Sequence, residues 1–359
     1  PNTIEEKGNA TVVLRDQYNL NQYDYHKAPL NVMAILPDAG YNRDNGVMLG
    51  LNGTYTMKKF NQNPYSQKHQ LRVKFNFATS GVFGYYKGSF KDYSNTGYWN
   101  IEALATSSNF TRNFFGFDNS TAYDKSDFKD KYYRVRTSQL EFKPDYEWKG
   151  RNGSSFLIGA TYESTRIENT NDRLIDEQLV TNLNDSYSRT DFVGTRLKYQ
   201  FENYDDIQEP TVGLGFMLLF GNRFFVDDFN KSHQYLNSKL NFVVAISNDK
   251  KLTWSSTYLL EKIFGNDYHF YQAATLGANN GLRGYRQHRF MGDTSFVTSN
   301  DIRYKMKHIT NGVLPLSYGF YAGYDTGKIW NKNNPNNKWY HSYGGGFWLN
   351  ALDSFTAHV

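Results

Sequence analysis

The sequence predicts an all-β chain, a transmembrane antiparallel β-barrel of about 16 strands with one outer loop folded inward. Three observations predict this fold class. Strand-like segments alternate apolar and polar residues, and many of them run to the ~9–11 residues that a tilted membrane strand needs. Aromatic residues make up 17% of the chain, with 29 Tyr and 27 Phe. Connections between segments alternate between long and short, as they do in outer-membrane barrels.

Composition excludes several other classes. Apolar residues make up 39% of the 359, below the ~45–50% of a typical globular chain. No segment approaches the ~18 apolar residues of a membrane helix, and the mean hydropathy is −0.69. A barrel is compatible with both facts, because lumen-facing polar residues dilute the lipid-facing apolar ones. The chain has no Cys, which excludes disulfides and thiolate chemistry.

Residues 192–202 show the alternation most plainly. From Val193 on, the odd positions are apolar or aromatic apart from Thr195, and the even positions from Gly194 to Glu202 hold Gly, polar or charged residues. Successive side chains of a strand point to opposite faces, so this strand has one apolar and one polar face. The same pattern recurs at 71–78, 140–148, 236–246 and 296–306.

A water-soluble sandwich also alternates, but its strands average ~5–6 residues. The polar partners here are often long and charged. Tryptophans also collect near strand ends, as in the aromatic girdles of membrane barrels, at Trp99, Trp148, Trp330 and Trp339. These features favour the barrel.

The connections define two ends. Short links are predicted near 60–66, 93–97, 149–153, 205–210, 248–251, 309–314 and 350–353. Long links are predicted at 109–131, 168–190, 226–233, 267–293 and 329–338. Outer-membrane barrels have short periplasmic turns and longer outer loops, so the long set is expected outside.

Strand parity sets the boundaries. About fourteen clear segments run from 47–59 to 353–359, and an outer loop at 267–293 requires one further strand before them. That first strand is expected at Pro29–Leu36, closed by a turn at Asn42–Gly46. Segment 353–359 then becomes the fifteenth strand, and the even count of bacterial barrels implies a missing sixteenth. We therefore predict a periplasmic lead-in at 1–27 and one barrel domain at 28–359.

The segment 276–308 carries the most specific motif. Leu282, Arg283, Gly284 and Tyr285 follow Gly281 and form an aliphatic-Arg-Gly-aromatic element in a long loop. This element resembles the loop motif of the BamA-type (bacterial surface antigen) superfamily of outer-membrane insertases and translocators. Segment 324–327 resembles that superfamily's aromatic-x-Asp-x-Gly strand motif in part: Asp325 and Gly327 fit, but Gly323 stands in the aromatic position. A Gly-rich strand at 344–346 also fits.

The resemblance covers roughly 28–359 and implies a lumen-folded loop whose Arg283 pairs with Asp325 in the wall. A buried guanidinium needs a planar charged partner, which is consistent with that pair. Gly284 would permit a tight turn and Tyr285 would pack on the wall. The resemblance implies a role in assembling or translocating proteins at the bacterial outer membrane, without catalysis. A loop that is only stapled in place remains an alternative.

Two departures keep other functions open. Insertases of the superfamily carry periplasmic domains, which 1–27 is too short to hold. Some similar barrels are fused to hydrolase domains, so a barrel that anchors a separate enzyme is one alternative. A solute channel or porin, with the loop as its constriction, is the other.

The sequence offers no enzymatic site. Its 8 His are scattered without metal-site spacing, and the acidic loop 169–185 lacks the ligand spacing of an EF-hand. No nucleophile elbow, P-loop or dinucleotide motif is present. We therefore predict no catalytic residue, no metal and no cofactor.

Basic residues on the polar faces predict a mixed but rather basic lumen. They are Arg72, Lys74, Arg196, Lys198, Lys239, Arg303 and Lys305. They are either ordinary lining balanced by acids or the wall of an anion-favouring pore. Alternation puts aromatic and basic residues on opposite faces, so nucleic acid is not an expected partner. Expected partners are outer-membrane lipid, a substrate polypeptide, and periplasmic or lipoprotein subunits.

Overall fold

The computed structural model describes residues 31–42, 46–59, 64–92, 96–117, 123, 131–150, 152–181, 187–207, 209–306, 316–332, 338–351 and 355–358. Most of these residues lie in antiparallel strands. A single α-helix, α1 (Leu174–Thr181), occurs among the described residues. In that part of the chain, no helix has the length and apolar character needed to cross a membrane. The expected lead-in at 1–27 lies outside the described residues.

Fifteen strands pair with their neighbours in chain order along one antiparallel sheet. They are β1 (Val32–Asn42), β2 (Gly46–Met57), β3 (Gln67–Asn76), β4 (Gly81–Lys91), β5 (Gly97–Thr106), β7 (Arg134–Lys149), β8 (Ser154–Ile167), β9 (Arg189–Tyr204), β10 (Gly213–Phe225), β11 (Ser232–Ala245), β12 (Leu252–Phe264), β15 (Thr294–Lys305), β16 (Leu316–Trp330), β17 (Tyr340–Ala351) and β18 (Phe355–His358). The short strand β6 (Thr111–Asn113) joins the same sheet beside β7. Strands β13 (Ala274–Leu276) and β14 (Phe290–Gly292) form a separate hairpin.

The two faces of the sheet differ as the alternation predicts. Large apolar side chains stand exposed on the outer face, including Leu71, Val73, Phe142, Leu197, Tyr199, Leu214, Leu218, Ile302 and Phe320. The opposite face carries ion pairs that link strands across the interior. Arg196 of β9, for example, contacts Glu102 of β5 and Asp145 of β7. The predicted fold class, an antiparallel barrel wall with an apolar outer face and a polar inner face, is confirmed.

The connections sort into two ends. One end, here called the short-turn end, includes 150–153, 205–212 and 246–251; the other, the long-loop end, includes 107–133, 168–188 and 265–293. The parity is as predicted, and ten barrel strands lie between β1 and the 265–293 connection. One predicted length is wrong. The connection expected to be long at 226–233 spans only 226–231, because β10 and β11 extend their register to the pair Phe224 and Ser232.

The first strand exists but is displaced from its predicted position. We expected Pro29–Leu36, whereas β1 runs through Val32–Asn42 and includes Pro37. A proline ends most central strands because it lacks an N–H, but an edge strand tolerates it. β1 is such an edge: among the described residues its only strand partner is β2, and β1 and β18 do not pair with each other. Residues 29–30 lie outside the described part.

The long-loop end carries a hydrophobic cap, which local alternation could not predict. Phe114 follows β6, Ile175 belongs to α1, and Phe270 and Met291 belong to the 265–293 connection; all four are fully buried in one cluster. Phe114 and Phe270 meet edge to face, with ring centroids 5.0 Å apart. Three separate connections therefore share one apolar core above the wall.

Candidate functional site

The connection 265–293, here called the inward loop, enters the barrel through a short hairpin. It leaves β12 at Gly265, turns through a 3-10 segment at Phe270–Gln272, and forms the antiparallel pair β13 and β14. β13 packs against β12, β15 and β16. The tip, residues 277–289, is therefore held against the inner face of the wall.

Glycines shape the tip. The carbonyl oxygen of Gly277 accepts hydrogen bonds from the amides of Asn280 at 2.9 Å and Leu282 at 3.1 Å. A β-carbon on Gly277 would lie only 2.3 Å from the carbonyl oxygen of Arg286. Gly281 has a φ of +85°, a left-handed conformation that side chains disfavour. Its carbonyl accepts a hydrogen bond of 2.6 Å from the Ser299 hydroxyl on β15.

Leu282 anchors the tip by burial. Its side chain is fully buried in a cluster with Leu276, Phe290, Val297 and Ile329. Gly327 on β16 makes room for this cluster, because a β-carbon there would lie 3.0 Å from Cδ1 of Leu276. Gly327 of the strand motif therefore allows the inward loop to pack closely against β16.

Arg283 and Asp325 are in contact, as the resemblance implied. The Arg283 Nε donates to both carboxylate oxygens of Asp325, at 2.9 and 3.2 Å, and Nη2 donates at 2.5 Å. The backbone amide of Arg283 donates to the same carboxylate at 2.9 Å, as does the hydroxyl of Ser342 on β17 at 3.0 Å. Asp325 is 1% exposed, so its charge is almost wholly balanced by these donors.

Asp301 on β15 supplies a second carboxylate that we did not predict as a partner. The Nη1 of Arg283 lies 2.8 Å from the Asp301 carboxylate, which also contacts Arg303 at 3.3 Å. The guanidinium therefore links the inward loop to two adjacent wall strands. The hydrogen bonds that Arg283 donates to the Asp325 carboxylate raise the pKa of Arg283, against the opposing effect of burial, so it remains a cation.

Gly323 explains the departure from the superfamily's strand motif. A β-carbon at this position would lie 2.5 Å from Nη2 of Arg283 and 2.5 Å from the Asp301 carboxylate. The guanidinium occupies the space of the missing side chain. An aromatic ring at this position, as in the superfamily's motif, would collide with the Arg283–Asp301 contact.

Gly284 and Tyr285 complete the motif. Gly284 has a φ of +84°, which accounts for glycine after the arginine. Tyr285 packs beside Phe290 and Tyr340, with centroids 5.6 and 5.9 Å away, and its hydroxyl donates to the carbonyl of His341 at 3.4 Å. It thus contacts its own loop and the start of β17.

Two further arginines tie the tip to the connection 107–133. Arg286 donates to the hydroxyl of Tyr123 at 3.2 Å, and the Arg289 guanidinium lies 5.1 Å from the ring centroid of Phe115. Arg112 reaches back with a 2.7 Å hydrogen bond to the carbonyl of Tyr271. The inward loop is therefore held by the wall on one side and by the cap on the other.

Most of the basic residues predicted to line the lumen contact carboxylates. Arg72 and Lys74 contact Asp38 at 3.5 and 3.0 Å, and Lys305 contacts Glu209. Arg196 and Arg303 bind the carboxylates named above. Lys198 is half-buried and Lys239 is exposed. The arrangement favours ordinary charge-balanced lining over a continuous cationic track.

The comparisons with known proteins agree with this geometry. A family model described as haemolysin secretion/activation protein ShlB/FhaC/HecB matches residues 218–349, which include the inward loop and β16. BamA from Haemophilus ducreyi lacking POTRA domains 1–3 superposes with a TM-score of 0.62 at 12% identity, covering 92% of this chain and 67% of that one.

The chain shares this barrel fold with two further solved structures. CdiB from Acinetobacter baumannii superposes with a TM-score of 0.55 at 13% identity, over 92% of this chain and 55% of that one. CdiB from Escherichia coli gives 0.56 at 10%, over 90% and 56%. The chain thus spans little more than half of either CdiB. No curated protein matches it by sequence.

Sequence reasoning missed several residues of this site. Ser299, Asp301, Gly323 and Ser342 all touch the Arg283–Asp325 contact or the tip beside it. Alternation placed Asp301 on the polar face, but only strand register brings it beside Asp325. Asp325 pairs with Ser299 and Ser342, and Gly323 pairs with Asp301. A register prediction for β15, β16 and β17 would have found all four.

Proposed function

We propose that this barrel assembles or translocates polypeptides at the outer membrane, with the inward loop held by Arg283 and Asp325 as part of its working structure. The observation that carries the proposal is the double carboxylate lock on Arg283. It lies inside residues 218–349, the segment that matches a family described as secretion/activation proteins. The sheet's β1 and β18 edges are free of each other among the described residues.

Free edges suit a mechanism in which a substrate strand pairs with the sheet. That mechanism proceeds through backbone hydrogen bonds and requires no catalytic group, metal or cofactor. The proposal therefore assigns no enzymatic activity to the barrel. Its partners would be outer-membrane lipid, a substrate polypeptide, and periplasmic or lipoprotein subunits. We further propose one barrel domain over 28–359, preceded by a lead-in at 1–27.

The porin alternative is less consistent with the structure. A pore needs an open lumen, whereas the inward loop and the 107–133 and 168–188 connections pack together at the long-loop end. The basic residues that suggested an anion track mostly contact carboxylates. A channel would have to move this whole assembly to conduct.

The test is depletion of the full-length protein in its host, followed by proteomics of the outer membrane and the medium. We expect a defined set of polypeptides to disappear and to return with the wild-type gene. Asp325→Asn should restore them poorly, because the neutral amide cannot balance the guanidinium, and it should expose the tip to trypsin. Asp227→Asn, in the exposed connection between β10 and β11, is the matched control.

Two results would contradict the proposal. One is depletion that alters small-solute uptake while every polypeptide stays in place. The other is an Asp325→Asn variant that is fully active although trypsin shows its loop released.

A further inference from the structure

A chamber of about 280 Å³ lies between the inward loop and the short-turn end of the barrel. Arg283 is among its lining residues. Its sides come from β15, β16 and β17, and the turns 205–212 and 246–251 contribute at the short-turn end. A water molecule takes ~30 Å³ of liquid volume, so the chamber is large enough for two or three side chains. The chamber therefore adjoins the Arg283–Asp325 contact and extends from it toward the short-turn end.

Charged residues dominate the chamber lining. Five cations and two carboxylates line it: Lys250, Lys251, Arg283, Arg303 and Lys305 with Glu209 and Asp301. Lys250 and Lys251 stand half exposed at the turn, where Asp205 and Asp249 contact them. Every one of the five cations contacts a carboxylate, so an acidic occupant can enter only in exchange for one of these resident carboxylates.

Glu209 already fills a carboxylate position in this chamber. It comes from the turn 205–212, yet its side chain contacts Lys305 of β15 and accepts a 2.8 Å hydrogen bond from the Asn350 amide of β17. These partners are 96 and 141 residues away in sequence. Lys305 and Asn350 thus form a carboxylate-binding site in the wall, here called the receptor, and Glu209 from the turn occupies it.

The receptor contains buried groups that Glu209 does not satisfy. Asn350 is 2% exposed and Trp348 is 8% exposed. Among the described residues, the Asn350 Oδ1 acceptor and the Trp348 Nε1 donor have no hydrogen-bond partner. Native proteins pair most such buried atoms. Both side chains lie on the inner face of β17. Once the Glu209 side chain has moved away, Asn350 Oδ1 could accept a hydrogen bond from a peptide N–H and Trp348 Nε1 could donate one to a peptide C=O.

We propose that this chamber binds an acidic side chain of an extended polypeptide, with Glu209 as an internal competitor that the substrate displaces. Lys305 and Asn350 take the incoming carboxylate, and Trp348 and Asn350 face its backbone. Tyr321, Pro210 and Trp348 supply the apolar surface that a polypeptide segment needs and a small anion does not. The identity of the occupant as cargo rests on the translocator function proposed above.

The experiment measures binding of a dye-labelled, end-blocked hexapeptide with two central glutamates to the purified full-length protein in detergent. Its twin carries glutamine at both positions. Removing the competitor with Glu209→Gln should strengthen binding of the acidic peptide by about threefold or more, since the substrate no longer displaces a charged group. Lys305→Gln should weaken it by about tenfold, the effect of one charge-assisted hydrogen bond.

Controls separate the receptor from general attraction. Lys59→Gln removes an exposed lysine from the connection between β2 and β3, at the same end of the barrel, and should leave binding unchanged. Free glutarate should compete poorly compared with the unlabelled peptide. Equal binding of the glutamine twin, equal competition by glutarate, or no gain in Glu209→Gln would each overturn the proposal.

The two proposals fail separately. Peptide binding that follows this pattern while depletion leaves all polypeptides in place would retain the receptor and remove the translocator function. If depletion removes polypeptides but peptide binding does not change in the Glu209 and Lys305 variants, the translocator function stands and the receptor is ruled out.

Discussion

Gly323 has no side chain, and the guanidinium of Arg283 lies in the space that one would fill. The consequence is a lock with two carboxylates, Asp325 and Asp301, on neighbouring strands. A planar guanidinium can contact both at once because its donors form a rigid fork. Lysine, with a single point charge, could not reproduce this arrangement.

Gly323→Ala should therefore loosen the inward loop, because its β-carbon would meet Nη2 of Arg283 at 2.5 Å. Overpacking of this kind typically destabilises by ~1–3 kcal/mol. We expect faster hydrogen exchange at the amides of Leu282 and Arg283, measured by mass spectrometry on the purified barrel. The control is Gly344→Ala. Gly344 is the cross-strand partner of Gly323, and nothing lies within 4 Å of its added β-carbon. Equal exchange in both variants would refute the role of Gly323.

At the scale of elements, hydrogen bonds to Asp205 join the two sides of the connection between β9 and β10. Asp205 accepts hydrogen bonds from the amides of Thr211 at 2.9 Å and Val212 at 3.0 Å, and from the Thr211 hydroxyl. Lys250 contacts the same carboxylate at 3.5 Å. This network fixes the turn that carries Glu209 to Lys305 and Asn350.

The pH dependence of this turn follows from Asp205. Partial burial works to raise its pKa, but the hydrogen bonds from Thr211 and Val212 and the contact with Lys250 outweigh it and hold the pKa well below the usual range. A depressed pKa means that the carboxylate stabilises the turn above its ordinary pKa of ~4 and loses that effect as pH falls further. The turn should stay closed at mildly acidic pH.

Asp205→Asn should abolish this behaviour. The amide of asparagine cannot offer two charged acceptor oxygens, so Thr211 and Val212 should exchange their amide hydrogens faster near neutral pH. The measurement is hydrogen exchange from pH 7 down to the lowest value at which the barrel stays folded. Asp206→Asn serves as control, because Asp206 lies in the same turn and accepts a hydrogen bond from the Glu209 amide. Identical protection in wild type and Asp205→Asn would contradict the assignment.

At the scale of the whole molecule, the long-loop end is closed by three connections that share one core. Phe114, Ile175, Phe270 and Met291 come from separate segments and are all fully buried together. The strands form the barrel wall, and these connections pack together at its long-loop end. A lumen filled in this way predicts poor conduction of ions.

Planar-bilayer recordings should therefore show brief, unstable openings for the wild type. Replacing residues 277–289 by a short Gly-Ser linker removes the tip and its Arg283 lock, and should give larger and longer openings. Replacing 227–230 in the exposed connection between β10 and β11 provides the control, because Phe229 is 60% exposed and outside the cap. A large steady current in the wild type would instead favour a porin.

Alternation alone determined the barrel wall, because the two-residue period of a strand assigns every side chain to lipid or lumen without knowledge of its neighbours. It placed Leu197 outside and Arg196 inside, and loop parity placed 267–293 at the long-loop end. Alternation placed the end of the first strand too early, because a proline such as Pro37 usually interrupts a strand and is tolerated mainly in edge strands.

Only the tertiary structure decided which residues meet. Asp301 and Gly323 join Arg283 because β15 and β16 pair in one particular register, and Glu209 reaches Asn350 across 141 residues of sequence. Such contacts depend on the curvature of the whole sheet and on loops that pack by shape. Local sequence carries the period of each strand, but it does not carry the distances between strands.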